Sequence, residues 1–136
     1  FFSMVFTYTG GDEAVEQLMQ HIPGGQWGFV LLMMAVIFLL GFFIDFVEIA
    51  YIFIPMITPI LIKSGIDPLW FGILVALNLQ TSFLTPPFGF SLFYLRGVAP
   101  PSVTTLDIYR GVIPFIFLQI LTGMTVMLFP DIIRVF

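Results

Sequence analysis

The chain has 136 residues, of which 60% are hydrophobic and only 9% are charged, and its formal net charge is −4 at pH 7. So few charged side chains cannot cover the surface of a soluble domain, and the lack of a basic cluster excludes typical nucleic-acid binding. The chain has no cysteine and a single histidine. Disulfides, thiolate metal sites and histidine metal clusters are therefore excluded as well.

Residues 1–9 are mostly apolar and aromatic. They carry neither a charged leader nor a small-residue cleavage motif, so they do not form a signal peptide. We interpret them as the end of a truncated membrane helix. We therefore expect the chain to be a piece of a larger protein.

Residues 10–25 are predicted to form an interfacial amphipathic helix and a turn. From residue 12 to residue 22, apolar side chains recur on one helical face, with acids and amides opposite. A short helix of this kind lies along a membrane surface.

Residues 26–62 are almost continuously apolar and are predicted to form a re-entrant helical hairpin. A spanning helix needs about 20 residues, so two complete spans would also fit. The interruption lies between Gly41 and Asp45 and contains no polar loop. We favour the hairpin, because two spans would place this apolar break at a membrane surface.

Residues 68–97 are predicted to form a broken membrane helix. Gly65 suits the end of the preceding helix, Asp67 suits the N-cap and Pro68 suits the first turn. The helix then meets Pro86, which lacks an N–H group and disrupts the preceding turn. Broken backbone at membrane depth is tolerated only inside protein or beside a wet cavity, so the break indicates a passage or a binding site.

The last predicted element is a membrane helix over residues 105–131. Thr104 followed by Asp107 fits a capping box with Asp in place of the usual Glu. Aromatic residues near the predicted helix ends are interpreted as anchors at the membrane interface. They are Trp27, Trp70 and Tyr109.

A polar stripe precedes and follows the double proline at helical spacing, which places it on one helical face. Its hydroxyl and amide oxygens, with carbonyls freed at the prolines, suit a hard cation such as sodium. Alternatively, the same side chains hydrogen-bond neighbouring helices, as such residues commonly do in membranes. The stripe comprises Asn78, Thr81, Ser82, Thr85 and Gly89.

Gly41 and Asp45 form a second candidate site at the hairpin tip. A glycine there allows unusual backbone conformations and the close approach of a ligand. The helix beginning near Asp45 would direct free N–H groups and a positive dipole end toward an anion. Two alternatives stay open: Asp45 and Glu48 form a capping box, or they coordinate an ion or relay protons.

Three segments closely resemble the large membrane subunit of TRAP transporters, the tripartite ATP-independent periplasmic transporters of bacteria and archaea. They are residues 40–49, residues 65–72 and residues 78–90, and the resemblance continues through residues 94–101. It implies an all-α integral membrane fold, the second inverted repeat of an elevator-type ion transporter, with a re-entrant hairpin and a broken helix.

The resemblance implies uptake of a carboxylate-type organic anion by sodium-coupled alternating access across the bacterial or archaeal cytoplasmic (inner) membrane. The implied partners are a small membrane subunit (separate or fused), a periplasmic substrate-binding protein, the N-terminal half of the permease and membrane lipid. No nucleic acid is expected, and no enzymatic activity.

By position, the resemblance assigns a sodium site to Gly41, Ser82, Thr85 and the carbonyl of Phe88, with Asp45 supporting the tip. Two other functions stay open at this level. One is a channel or proton-conducting subunit that uses Asp45 and Glu48, and the other is a structural membrane anchor of a complex.

Overall fold

The computed structural model describes residues 1–87 and 89–134, and the regular structure in these ranges is all helical. Two helices are long and apolar enough to cross a membrane, and a bent helix pair would make a third. In chain order the helices are α1 (Phe2–Tyr8), α2 (Gly11–His21), α3 (Gly25–Leu40), α4 (Phe46–Glu48), a π-helix (Ile49–Phe53), α5 (Ile54–Lys63), α6 (Pro68–Leu84), α7 (Phe90–Val98), α8 (Thr105–Leu128) and a 3₁₀-helix (Pro130–Arg134).

The segment from α3 to α5 folds back on itself. The side-chain amide of Gln26, at the start of α3, donates a hydrogen bond to the carbonyl of Ser64, just beyond α5. The two ends of the segment therefore meet, and the chain reverses at residues 41–45, which we call the tip. The first arm is α3, and the second arm is the continuous helix Phe46–Lys63.

Helix α2 lies across the base of this hairpin. It makes an angle of 112° with α3. Lys63 Nζ lies 3.1 Å from Glu16 Oε1, and Ser64 Oγ lies 3.5 Å from Met19 Sδ. These contacts tie α2 to the C-terminal end of the second arm.

The predicted signals around the start of α6 are confirmed. Gly65 has φ +74°, a conformation that favours glycine, and Pro68 opens the helix. The N–H of Leu69 donates to Asp67 Oδ1 at 2.9 Å, so Asp67 caps α6. Helix α6 then runs to Leu84, and α7 begins at Phe90.

Helix α8 packs against α6 and runs antiparallel to it. The predicted capping box at its start is confirmed, because Thr104 Oγ1 and Asp107 each bond to the other residue's backbone N–H. Near its end, the Val126 carbonyl accepts a 2.9 Å hydrogen bond from Trp70 Nε1, at the start of α6. Trp70 is only 8% exposed, so the prediction that it anchors the chain in the membrane interface is wrong.

The buried apolar side chains come mainly from the hairpin and α6, with Leu92 added from α7 and Ile108 and Val126 from α8. Examples are Phe29, Ile37, Ile60 and Phe71, each at most 1% exposed. Most large apolar side chains of α8 are exposed, for example Phe117 and Leu121. The hairpin and α6 therefore form the centre of the fold, and α8 lies along one side.

Candidate functional site

The tip of the hairpin lies directly against α6. A Cβ atom added to Gly41 would overlap Ser82 Oγ and would lie 3.0 Å from Ser82 Cβ. Gly41 is buried, and Ser82 is 0% exposed. Since Gly41 has φ −62°, its backbone is ordinary, and glycine is needed here for the space it leaves to Ser82 rather than for conformational freedom. Two candidate residues that are distant in sequence thus lie in contact.

Aromatic rings line the same junction. The ring of Phe46, in the second arm, stands edge-on to that of Phe83, with centroids 6.0 Å apart. Phe83 in turn packs edge-on against Phe90 of α7 at 6.1 Å. The tip, the end of α6 and the start of α7 are therefore packed together.

The break between α6 and α7 follows from the two prolines. Pro86 and Pro87 have no N–H groups, so neither can bond to the carbonyls of Ser82 and Phe83 one turn earlier. The Ser82 carbonyl accepts the Thr85 N–H instead, at 3.2 Å. Helix α6 therefore ends with carbonyl groups at the level of the hairpin tip.

The chain turns tightly after the prolines. The N–H of Gly89 donates to the Thr85 carbonyl at 3.1 Å, and a Cβ atom on Gly89 would overlap the Phe83 carbonyl. Glycine is therefore required at position 89, because the backbone of Phe83 leaves no room for a side chain there. The Thr85 and Phe83 carbonyls both face this turn.

Tyr109 contributes to the break in a way that its sequence position did not indicate. Its hydroxyl donates to the Pro87 carbonyl at 3.3 Å. The sequence suggested only an interfacial anchor, because nothing local relates the start of α8 to a turn earlier in the chain. Helix α8 therefore supports the break through a side chain.

The hydroxyl groups near the tip keep their lone pairs available. Ser82 Oγ donates to the Leu79 carbonyl at 2.9 Å, and Thr85 Oγ1 donates to the Thr81 carbonyl at 2.7 Å. Each hydroxyl uses its hydrogen within its own helix, so its oxygen can still accept a donor or coordinate a cation. Hard oxygen atoms of this kind suit sodium.

Asn78 and Thr81 precede Ser82 on α6, and Asn78, like Ser82, faces the first arm. Asn78 Nδ2 donates to the Met34 carbonyl of α3 at 2.7 Å, and Thr81 Oγ1 donates to the Leu77 carbonyl at 2.8 Å. Both residues line a separate cavity between α3, α6 and α8, together with Gln119, a residue that sequence reasoning missed. The sequence signal that could have identified Gln119 is its position as a lone amide within the apolar run of α8.

Asp45 occupies the N-cap position that the sequence predicted, with an extended backbone at φ −66° and ψ 150°. The predicted capping box with Glu48 is wrong, because the Asp45 side chain accepts no capping hydrogen bond within the described part of the chain. Both acids are exposed, so their carboxylates lie outside the packed tip. Phe88, whose carbonyl was assigned to the sodium site, lies outside the described residues.

Within residues 1–87 and 89–134, no group of three or more His, Cys, Asp or Glu side chains is placed to hold a metal ion. A cation at the tip would therefore depend on hydroxyl and carbonyl oxygens. Of the candidate residues, Gly41 and Ser82 lie in contact at this junction, and Thr85 follows Ser82 by one helical turn.

Comparison with known proteins identifies relatives over most of the chain. Residues 1–132 match the family model described as "Tripartite ATP-independent periplasmic transporter, DctM component". The sialic acid TRAP transporter permease protein SiaT of Haemophilus influenzae is 37% identical over 99 residues, which cover 73% of this chain and 16% of that protein.

Two further relatives are more distant. The ectoine TRAP transporter large permease protein TeaC of Halomonas elongata is 28% identical over 131 residues, or 96% of this chain and 30% of that protein. The C4-dicarboxylate TRAP transporter large permease protein DctM of Rhodobacter capsulatus is 26% identical over 107 residues, which cover 79% of this chain and 24% of that protein. The chain thus spans less than a third of the length of these relatives.

Proposed function

The chain belongs to the family of DctM components of tripartite ATP-independent periplasmic transporters, and from this premise we propose that it is part of a permease for sodium-coupled uptake of an organic anion. The observation that carries the proposal is the contact between Gly41 and Ser82. It joins a hairpin tip to a helix break, and unwound points of this kind supply ion and substrate ligands in secondary transporters.

The proposed sodium site lies at this junction. Its ligands are the Gly41 carbonyl, the hydroxyl oxygens of Ser82 and Thr85, and the Phe88 carbonyl. The hydrogen bonds that Ser82 and Thr85 donate leave oxygen lone pairs for the ion. The two prolines support the site by ending α6 directly after Ser82 and Thr85.

The proposed hairpin is re-entrant. Its arms have 16 and 18 residues, which at 1.5 Å per residue correspond to about 24 Å and about 27 Å. The first arm is shorter than the ~30 Å hydrocarbon core of a bilayer, and the second arm is near the lower end of the range of spanning helices. Helix α8, with 24 residues, is about 36 Å long and crosses it completely. The tip would then end inside the bilayer, against α6.

The anion would bind at the N-terminal end of the second arm. The first N–H groups of any helix lack acceptors within that helix, and the dipole there favours negative charge. The exposed carboxylates of Asp45 and Glu48 lie beside these groups and repel an anion. A cation bound at the tip would offset this repulsion, so sodium would bind first and the anion second.

The complete transporter would include the rest of the permease, a small membrane subunit, separate or fused, and a periplasmic substrate-binding protein. It would lie in the lipid of a bacterial or archaeal inner membrane and work by an elevator-type movement with alternating access. The substrate would be a carboxylate-type anion. The names of the relatives cover sialic acid, ectoine and C4-dicarboxylates, so membership of the family leaves the individual substrate open.

The test is uptake of labelled carboxylates into proteoliposomes that contain the complete permease, with and without its binding protein and an inward sodium gradient. The variants are Thr85→Ala, which removes the proposed ligand, and Thr85→Ser, which retains a hydroxyl group. Thr122→Ala is a matched control, because Thr122 is exposed on α8 and its hydroxyl bonds within that helix.

We expect uptake to require sodium and the binding protein, with weaker sodium dependence in Thr85→Ala alone. Sodium-independent flux without the binding protein would instead support a channel that uses Asp45 and Glu48. Absence of flux from an assembled complex over a broad substrate panel would support a structural membrane anchor.

A further inference from the structure

A cavity at the base of the hairpin contains an ion pair that a ligand can reach. The cavity has a volume of about 210 Å³ and lies between the start of α3, the start of α6 and the 3₁₀-helix after α8. Arg134 Nη2 lies 3.5 Å from Asp67 Oδ2, and the two side chains are 67% and 37% exposed. The base is the opposite end of the hairpin from the tip, so this cavity is distinct from the proposed sodium site.

The ion pair is loose and leaves both groups able to bind more. The distance of 3.5 Å exceeds the about 2.7–2.9 Å of a tight charge-assisted hydrogen bond. Arg134 carries five N–H donors and no acceptor, whereas the carboxylate of Asp67 only accepts. One oxygen of Asp67 accepts the Leu69 N–H, and the other lies on the side of Arg134. A cation and an anion side by side suit a ligand that carries the two opposite charges side by side, because a lone anion would be repelled by Asp67.

Two tryptophans stand beside this ion pair. The rings of Trp27 and Trp70 are edge-on, with centroids 5.9 Å apart, and both residues line the cavity. Trp70 is buried, but Trp27 is 49% exposed, so its ring is open to a ligand. Tryptophan rings attract ammonium groups through their π-electrons. The aromatic wall therefore favours the cationic part of a ligand, next to the carboxylate of Asp67.

The cavity also lies at the level of a membrane surface. It is beside the C-terminal end of α8, the 24-residue helix that is long enough to cross a bilayer. Trp70 Nε1 bonds to the carbonyl of Val126 in the last turns of that helix, which fixes the level of the aromatic wall. Arginine and tryptophan side chains at the end of a spanning helix meet the lipid headgroups. The groups that a ligand meets here are thus those that face phospholipid.

We propose that this cavity binds the headgroup of a zwitterionic phospholipid, with the phosphate on Arg134 and the ammonium group beside Asp67 and Trp27. Phosphatidylethanolamine has this chemistry, since a short carbon chain joins its phosphate to its ammonium group. The cavity is several times larger than the ~30 Å³ that a water molecule occupies in the liquid, so it admits such a group. Free phosphoethanolamine carries the same two charges without the acyl chains.

The experiment measures lipid binding to the complete permease in detergent, as the half-saturating concentration obtained by native mass spectrometry. The ligands are phosphatidylethanolamine, phosphatidylglycerol, which has the phosphate without the ammonium group, and free phosphoethanolamine. Arg134→Gln removes the cation. Asp67→Asn removes the negative charge and keeps the oxygen that caps α6. Lys63→Gln is the matched control, because it breaks an ion pair with Glu16 that is similarly exposed and lines a different cavity.

We expect the wild-type permease to bind phosphatidylethanolamine more tightly than the other two ligands. Arg134→Gln should raise the half-saturating concentration of both lipids about three- to ten-fold, because each loses its phosphate contact. Asp67→Asn should weaken binding of phosphatidylethanolamine and strengthen that of phosphatidylglycerol, a change of selectivity that a merely structural ion pair would not produce. Lys63→Gln should alter neither. The readout is lipid binding, so the result is independent of the proposed transport function.

Equal binding of the two lipids by the wild-type permease would overturn the proposal, as would equal losses in Arg134→Gln and Lys63→Gln. Binding of free phosphoethanolamine as tight as that of the lipid would overturn the lipid assignment and show a site for a soluble zwitterion. If Asp67→Asn does not assemble, the comparison of the two lipids on the wild type and on Arg134→Gln decides.

Discussion

Gly41 and Ser82 approach so closely that the position of Gly41 has no room for a side chain. Gly41 ends the first arm of the hairpin, and Ser82 lies in the last turn of α6, just before the break. The contact has a structural consequence that can be measured apart from transport, because it helps to hold the hairpin tip against α6.

Gly41→Ala should force the tip away from α6. We expect a loss of about 1–3 kcal/mol in the free energy of unfolding of the complete permease, which is typical of overpacking in a tight core. Adding Ser82→Ala should recover part of the loss, because it removes the Oγ atom that the new methyl group meets. Gly72→Ala is the control, since no described atom lies within 4 Å of a Cβ atom there. Equal behaviour of Gly41→Ala and Gly72→Ala would contradict the contact.

The two N-cap aspartates should behave differently on truncation. Asp67→Ala removes the acceptor of the Leu69 N–H and should destabilise the protein by about 1 kcal/mol. Asp45→Ala should leave the unfolding free energy unchanged within error, because Asp45 provides no capping hydrogen bond among the described residues. Denaturant unfolding of both variants gives the comparison. A larger loss for Asp45→Ala would show that the tip acid has a structural role.

Tyr109→Phe should loosen the break without changing the packing of its ring. The lost hydrogen bond to the Pro87 carbonyl contributes about 0.5–1.5 kcal/mol. If this hydrogen bond maintains the geometry of the proposed sodium site, its loss should raise the sodium concentration for half-maximal uptake about two- to ten-fold, since 1.4 kcal/mol corresponds to a factor of ten. Tyr94→Phe, at a residue 77% exposed, is the control. Identical sodium dependence of the two variants would rule out this role.

Trp70→Phe should destabilise the packing of α6 on α8. The Val126 carbonyl cannot pair with residue 130, which is Pro130 and has no N–H, so Trp70 Nε1 supplies its hydrogen bond. Losing that donor in a buried position should cost about 1–3 kcal/mol, measured as a lower Tm of the complete permease. Trp27→Phe should cost less, because Trp27 is 49% exposed. The reverse order would contradict this account.

Local signals in the sequence predicted the helix ends well. Asp67 and the pair Thr104 and Asp107 cap their helices as expected, because a cap involves residues that are neighbours along the chain. The same reasoning failed at Asp45, which has the backbone conformation of a cap but an exposed side chain. It failed at Trp70 too, where a distant helix covers the ring.

By itself, the sequence determined the class of protein, the positions of the apolar helices and the break at the double proline, since hydrophobicity, helical period and proline chemistry are local properties. Only the tertiary structure decided which oxygens lie together. Helical spacing placed Asn78 and Ser82 on one face, and packing sets that face against the first arm, where Asn78 meets Met34 and Ser82 meets Gly41. It also placed Gln119 beside Asn78. Contacts between distant segments depend on how whole helices pack, and the period of one helix does not specify its neighbours.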